Sequence, residues 1–232
     1  MRTLVVGDIH GAYKAFIQCL HRSNFNYIND TFIVLGDVVD GWHEVPECIK
    51  ELFKIKHLIY ILGNHDKWCN DWFKEGISEP LWELQGGQAT KDAYIKQGNL
   101  MVKHRHFFDV SSIAYVDNDN RLFVHGGLYP INKPLSRQNP FDLMWDREMF
   151  KNARFKHFQK PEYKYAGYEK IFIGHTATAG ANKDKPYKYC NVWNLDQGAG
   201  WSGKLTIMDI DTEEYWQSDN VLELYPNVRG RY

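Results

Sequence analysis

The chain has 232 residues, of which 44% are hydrophobic and 25% charged, with a formal net charge of −1. That balance excludes a disordered or collagen-like chain, and 28 Lys+Arg against 29 Asp+Glu leaves no global excess for gripping nucleic acid or an acidic membrane. The longest apolar run, Leu58 to Leu62, is five residues, far short of the roughly 18 to 20 that a membrane span requires. Met1-Arg2-Thr3 runs into a short apolar stretch and meets Asp8 before a leader core forms, so no signal peptide is expected. Cys19, Cys48, Cys69 and Cys190 lie far apart with no C-x-x-C pair, which predicts buried free thiols in a reducing compartment. The expectation is a cytoplasmic protein of one domain, residues 1–232, with no membrane partner.

In chain order, Thr3-Leu4-Val5-Val6 reads as a short buried strand closed by glycine. Tyr13, Phe16, Ile17 and Leu20 then recur at the spacing of an amphipathic helix. Thr31 to Leu35 is a second strand, Val45, Ile49, Leu52 and Phe53 stripe a second helix, and His57 to Leu62 is a third strand. This β-α-β-α-β order predicts a parallel sheet with right-handed crossovers, whose ligands sit beyond the carboxyl ends of the strands. Further short strands are predicted at Ser112–Val116, Leu122–Val124, Lys170–Ile173, Cys190–Leu195 and Leu205–Met208. Between them, residues 129–164 carry weak periodicity and predict helical excursions and loops lying over the site.

The chemistry is written at the strand ends. The first strand closes in Gly7-Asp8-Ile9-His10-Gly11, the second in Gly36-Asp37-Val38-Val39-Asp40-Gly41, and the third in Gly63-Asn64-His65-Asp66. Later strands close in Val124-His125-Gly126-Gly127 and Ile173-Gly174-His175-Thr176. Five strand ends therefore present Asp, Asn or His beside glycine, which allows tight turns under a ligand. If the strands are adjacent, these side chains converge on one edge. Oxygen and imidazole donors without thiolate suit a hard or borderline divalent ion such as Mn, Fe or Zn. A bridging carboxylate between two such sets would hold a metal pair of the kind used for displacement at phosphorus.

On these motifs the sequence resembles the calcineurin-like metallophosphoesterases, in particular the phosphoprotein phosphatase branch with its small bacterial and phage members. The order GD-x-HG, GD-x-x-D, GNH-D/E, HGG and GHT is reproduced in full, and lesser matches at Gln85–Thr90, Met144–Glu148 and Leu195–Gly200 extend it from about residue 4 to about residue 210. The resemblance implies an α/β fold, a four-layer α-β-β-α sandwich of two mixed sheets flanked by helices. It implies two divalent metal ions, manganese foremost, with Asp8, His10 and Asp37 on the first and Asp37, Asn64, His125 and His175 on the second. The implied nucleophile is a bridging water or hydroxide, and His65, oriented by Asp40, is the implied general acid.

Phosphate contacts are implied for Asn64 and Arg147. A second arginine commonly follows the GD-x-x-D aspartate in this family, but here Gly41-Trp42 stand in its place. Trp42 is therefore expected either to stack on a base or phenyl ring of the substrate or to be a core-edge aromatic. Asp196 is a candidate for the shell of the second metal or a simple turn residue. Lys103-His104-Arg105-His106 and the basic stretch around Lys151–Tyr165 read as solvated faces.

The leading expectation is a phosphomonoesterase acting on a phosphorylated small molecule or on phosphoserine and phosphothreonine in a phosphoprotein. The alternative keeps the metals and acts on nucleotides, dinucleoside polyphosphates or RNA ends. A catalytically dead binding module is a third reading, against which every ligand position is filled.

Overall fold

The computed structural model describes residues 1–97, 100–178, 184–228 and 230–231. The first half alternates strand and helix: β1 (Thr3–Val6), α1 (Tyr13–Arg22), β2 (Thr31–Val34), α2 (Val45–Leu52) and β3 (His57–Tyr60). A helical stretch follows, with α3 (Asn64–Glu75), the single turn α4 (Pro80–Trp82), α5 (Gln88–Gln97) and α6 (Leu100–Asp109). The second half holds β4 (Ala114–Val116), β5 (Arg121–Val124), α7 (Pro140–Trp145), α8 (Glu148–His157), β6 (Lys170–Ile173), β7 (Tyr187–Tyr189), β8 (Val192–Asn194), β9 (Thr206–Asp209), β10 (Tyr215–Gln217) and α9 (Val221–Leu224).

Two five-stranded mixed sheets result, ordered β10-β9-β1-β2-β3 and β4-β5-β6-β8-β7. The period of two along each strand explains why the sheets stack and helices cover them. On β1 and β2, Leu4, Val6, Phe32 and Val34 join the helix-side core with Phe16 and Leu20 of α1 and Ile49 and Leu52 of α2. The alternate residues Val5 and Ile33 point the other way, into an inter-sheet core with Phe123 of β5, Phe172 of β6 and Met208 of β9. Phe123 and Phe172 stack there at 5.0 Å between ring centroids and 5° between planes. On the far side, Leu122, Val124, Ile171 and Ile173 pack against Met149, Phe150 and Ala153 of α8. Layers of helix, sheet, sheet and helix follow from that alternation.

The predicted strands recur with small shifts. Ser112 is not in β4: it exchanges backbone hydrogen bonds with Tyr60 and Leu62 at the rim of the first sheet, after which the chain crosses to the second. Cys190 and Asn191 form the turn between β7 and β8 instead of starting a strand, and Cys190 takes φ +54°. β7 and β10 were not predicted, because each is three residues long with little apolar alternation. All four cysteines are buried and free. Among the described residues no helix is long and apolar enough to cross a membrane.

Candidate metal centre

β1, β2 and β3 run parallel in one sheet, and β5, β6 and β8 run parallel in the other. The turns beyond their carboxyl ends carry Asp8 and His10, Asp37 and Asp40, Asn64 and His65, His125, His175 and Asp196. The two sets meet face to face. The backbone N–H of His175 donates to both carboxylate oxygens of Asp8 at 3.0 and 3.1 Å, and His125 Nε2 lies 3.2 Å from Asp37 Oδ2. Donor atoms of Asp8, His10 and Asp37 lie within 4.8 Å of one another, as do those of Asp37, His125 and His175, so Asp37 is common to both groups. Asn64 Oδ1 is 3.0 Å from His125 Nε2. Every one of these residues is buried.

Local backbone holds them in place. The Asp37 carbonyl accepts N–H bonds from Ile9 and His10. Asp66 ties the next two loops together: Oδ2 accepts from Asp37, Gly63 and Tyr60, and Oδ1 accepts from Val38. His10, Asp37, Asp40 and His175 all take left-handed backbone, with φ of +49°, +53°, +71° and +61°. Such conformations are uncommon outside glycine and gather where a site dictates side-chain direction. At Gly174 a side chain is excluded, since a Cβ there would lie 2.1 Å from Asp8 Oδ1.

These residues fit a pair of divalent cations. His10 Nδ1 is 2.8 Å from the Val39 carbonyl and His125 Nδ1 is 2.6 Å from that of Leu35. A backbone acceptor at Nδ1 fixes the proton there and leaves Nε2 as the lone-pair donor facing the carboxylates. Among the described residues His175 Nε2 is buried without any hydrogen-bond partner, an orphan that a cation would satisfy. Charge balance agrees. Burial, together with the Asp196 charge, pushes Asp8 well above the usual carboxylate range. Burial opposes ionisation of His125 too, but the Asp37 charge and contact outweigh it and bring the imidazole up to about 9. Buried carboxylates gathered this closely call for positive charge between them.

Beside this cluster stands His65. Its ring centroid is 5.2 Å from that of His10. Nδ1 is 2.5 Å from Asp40 Oδ2, and the opposite nitrogen has no protein partner among the described residues. Asp40 is itself pinned, accepting from Trp82 Nε1 at 2.7 Å and from Thr90 Oγ1 at 2.7 Å. Thr90 lies in the Gln85–Thr90 motif already noted in the sequence; Trp82 carried no signal beyond standing just ahead of that motif.

The calcineurin-like phosphoesterase profile matches residues 1–201. The chain belongs to that family. Among curated relatives of this phosphoesterase, serine/threonine-protein phosphatase 2 of Salmonella typhimurium is 35% identical over 89% of this chain and 91% of its own. The asymmetrical bis(5'-nucleosyl)-tetraphosphatase PrpE of Oceanobacillus iheyensis is 25% identical over 93% and 91%. A solved serine/threonine phosphatase from Saccharomyces cerevisiae shares the fold at a TM-score of 0.62 and 15% identity, covering 99% of this chain and 82% of the other. The phosphoesterase is thus a metal-dependent hydrolase whose relatives include protein phosphatases and dinucleoside tetraphosphatases.

The rim of the phosphoesterase site departs from expectation at Trp42. It has no exposed surface. Its indole N–H donates to the Ala199 carbonyl at 2.7 Å, and its ring stacks on Tyr225 at 4.6 Å between centroids. A ring sandwiched in the core offers no face to a substrate, so the substrate-stacking expectation is corrected and the core-edge alternative stands. Aromatics nearer His65 run outward to the surface: exposed Phe141 stacks on half-buried Trp145, Trp145 meets the edge of half-buried Trp68, and Trp68 meets His65, with centroid separations of 5.6, 4.9 and 5.2 Å. Arg147 is exposed just after α7, and its charge, after burial and His125, helps to hold His175 well below the usual imidazole range. Asp196 is buried beside Asp8, where its charge is felt most, and Oδ1 accepts from the Gly198 N–H at 2.9 Å.

Proposed function

We propose that this phosphoesterase hydrolyses phosphate monoesters, phosphoserine and phosphothreonine among them, with Asp8, His10 and Asp37 holding one divalent ion and Asp37, Asn64, His125 and His175 the other. Manganese is the ion proposed for both places. When bound, the ions neutralise the phosphoryl charge and activate a water for attack on phosphorus. Arg147 and the Asn64 side chain hold phosphoryl oxygens, the arginine as a planar fork. His65 donates a proton to the departing oxygen as the ester P–O bond breaks, and Asp40 holds the imidazole at Nδ1 and aims it.

The observation that carries this reading is the His65–Asp40 contact of 2.5 Å beside the ligand cluster. An alkoxide is a poor leaving group, and a buried, oriented imidazole is what monoesters of alcohols require. The aromatic rim of Trp68, Trp145 and Phe141 favours a second reading, in which a nucleobase stacks there and the substrate is a dinucleoside polyphosphate; the PrpE relative bears a name of that kind.

The test is a substrate panel on protein stripped by chelation and reloaded with manganese. Hydrolysis of p-nitrophenyl phosphate and a phosphothreonine peptide is expected to vanish with the metal and return with it. A greater kcat/KM on diadenosine tetraphosphate than on either monoester would replace the first reading with the second.

A further inference from the structure

Gly41 leaves the site without an arginine at the end of the second loop, yet a guanidinium occupies that place. Arg231 enters from the segment after α9. Its Nη1 is 2.8 Å from His10 Nε2. Its Nε and Nη2 reach the carbonyl and side-chain oxygens of Gln85 at 3.2 and 3.3 Å, and its guanidinium lies 4.8 Å from the Trp201 ring centroid. The backbone N–H of Arg231 donates to the Gly200 carbonyl at 2.8 Å.

The path of this side chain is lined by missing side chains. A Cβ at Gly41 would stand 3.1 Å from Arg231 Cγ, and one at Gly86 would stand 2.9 Å from the same atom. Both glycines have positive φ, +88° and +104°. At Gly230 a Cβ would meet the Gly200 carbonyl at 2.6 Å and Trp42 at 2.9 Å. Buried Trp42 is thus part of the bed on which the segment rests.

Nη1 donates to the His10 lone pair that the first ion takes, so the guanidinium steps off that nitrogen when the ions bind, and a cation so close to them is repelled unless an anion lies between. Electrostatics alone would therefore have kept Arg231 out; the slot brings it in. We infer that Arg231 binds a phosphoryl oxygen of the substrate at the His10 end of the ligand cluster, and supplies from a distant segment the second fork that Gly41 lacks.

This inference rests on the proposed phosphoryl chemistry, and its test separates the two. Inorganic phosphate is titrated calorimetrically into manganese-loaded wild type, Arg231→Ala and Arg231→Lys, with bound manganese counted by elemental analysis and turnover measured on p-nitrophenyl phosphate. Losing a charge-assisted pair should weaken phosphate binding by about 10- to 100-fold in Arg231→Ala, with lysine between the two and metal content unchanged. Unchanged phosphate affinity would overturn the inference, as would tighter binding, which would make Arg231 a plug. A fall in metal content without a fall in phosphate affinity per loaded site would also overturn it. If wild type turns over no ester yet Arg231→Ala still loses phosphate, the hydrolase reading fails and the clamp stands. If wild type is active and the variants bind phosphate equally, only the clamp fails.

Discussion

Along the floor of the site, side chains are placed by the backbone; around the rim they are placed by one another. Asp8, Asp37, Asn64, His125 and His175 each stand within four residues of a strand end, and the loops carrying them are knitted by main-chain bonds and by Asp66. Rim residues come from separate segments. Trp82 and Thr90 hold Asp40, Trp68 and Trp145 form the aromatic side, and Arg231 arrives from beyond α9. A floor built from strand ends tolerates almost no change of shape. A rim built from side chains can be altered one group at a time.

The largest effect expected from breaking that contrast is at the floor. Gly174→Ala drives a Cβ into the Asp8 carboxylate, so activity should fall by more than about 10³-fold, as for loss of a preorganised charge site, together with manganese binding measured by calorimetry. Next is His65→Asn, which should lower kcat by about 10² to 10⁴ on alkyl phosphates and much less on p-nitrophenyl phosphate, whose leaving group needs no proton. Equal losses on the two substrates would remove the general-acid assignment. Trp82→Phe deletes one of the two side-chain donors to Asp40 seen here besides His65. A lost bond to a charged group is worth about 1.5 to 3 kcal/mol, so kcat should drop by about 10- to 150-fold, with KM little changed. The smallest effect is at Trp42→Phe. It should cost about 1 to 2 kcal/mol in a urea melt, from the lost bond to Ala199 and a poorer stack on Tyr225. The preference between nucleotide and alkyl substrates should stay as it was; a selective loss on nucleotides would put Trp42 back against the substrate.

The same contrast marks what could be read from the sequence. Strands and ligands of the floor were legible because a β-branched apolar run followed by glycine and a donor residue is a local signal, repeated five times. Trp42 was adjacent to such a motif, but its burial depends on Ala199 and Tyr225, the first of them 157 positions away. Nothing near Arg231 distinguishes it, since its meaning comes from His10, 221 positions earlier, and from the emptiness of Gly41 and Gly86. His104 shows the reverse error. Charged neighbours suggested a solvated stretch, yet on α6 its ring turns inward, fully buried, with Nδ1 2.5 Å from the Tyr94 hydroxyl. Helical geometry separates consecutive residues by about 100°, so a basic run can contain one core position.

Asp37 belongs to the sheet of β1–β3, whereas His125 and His175 belong to the sheet of β5 and β6. A cation shared by these three residues is therefore a rivet between the two sheets at the carboxyl ends of their strands, added to the bonds from His175 to Asp8 and from His125 to Leu35 and to the apolar seam of Val5, Ile33, Phe123 and Phe172. Occupancy then adds to the cohesion of the whole sandwich: a ligand at about 1,000 times its Kd contributes about 4 kcal/mol. Removing the metal should loosen the seam between the sheets, so that amide exchange quickens first in the inter-sheet strands and only later beneath the outer helices.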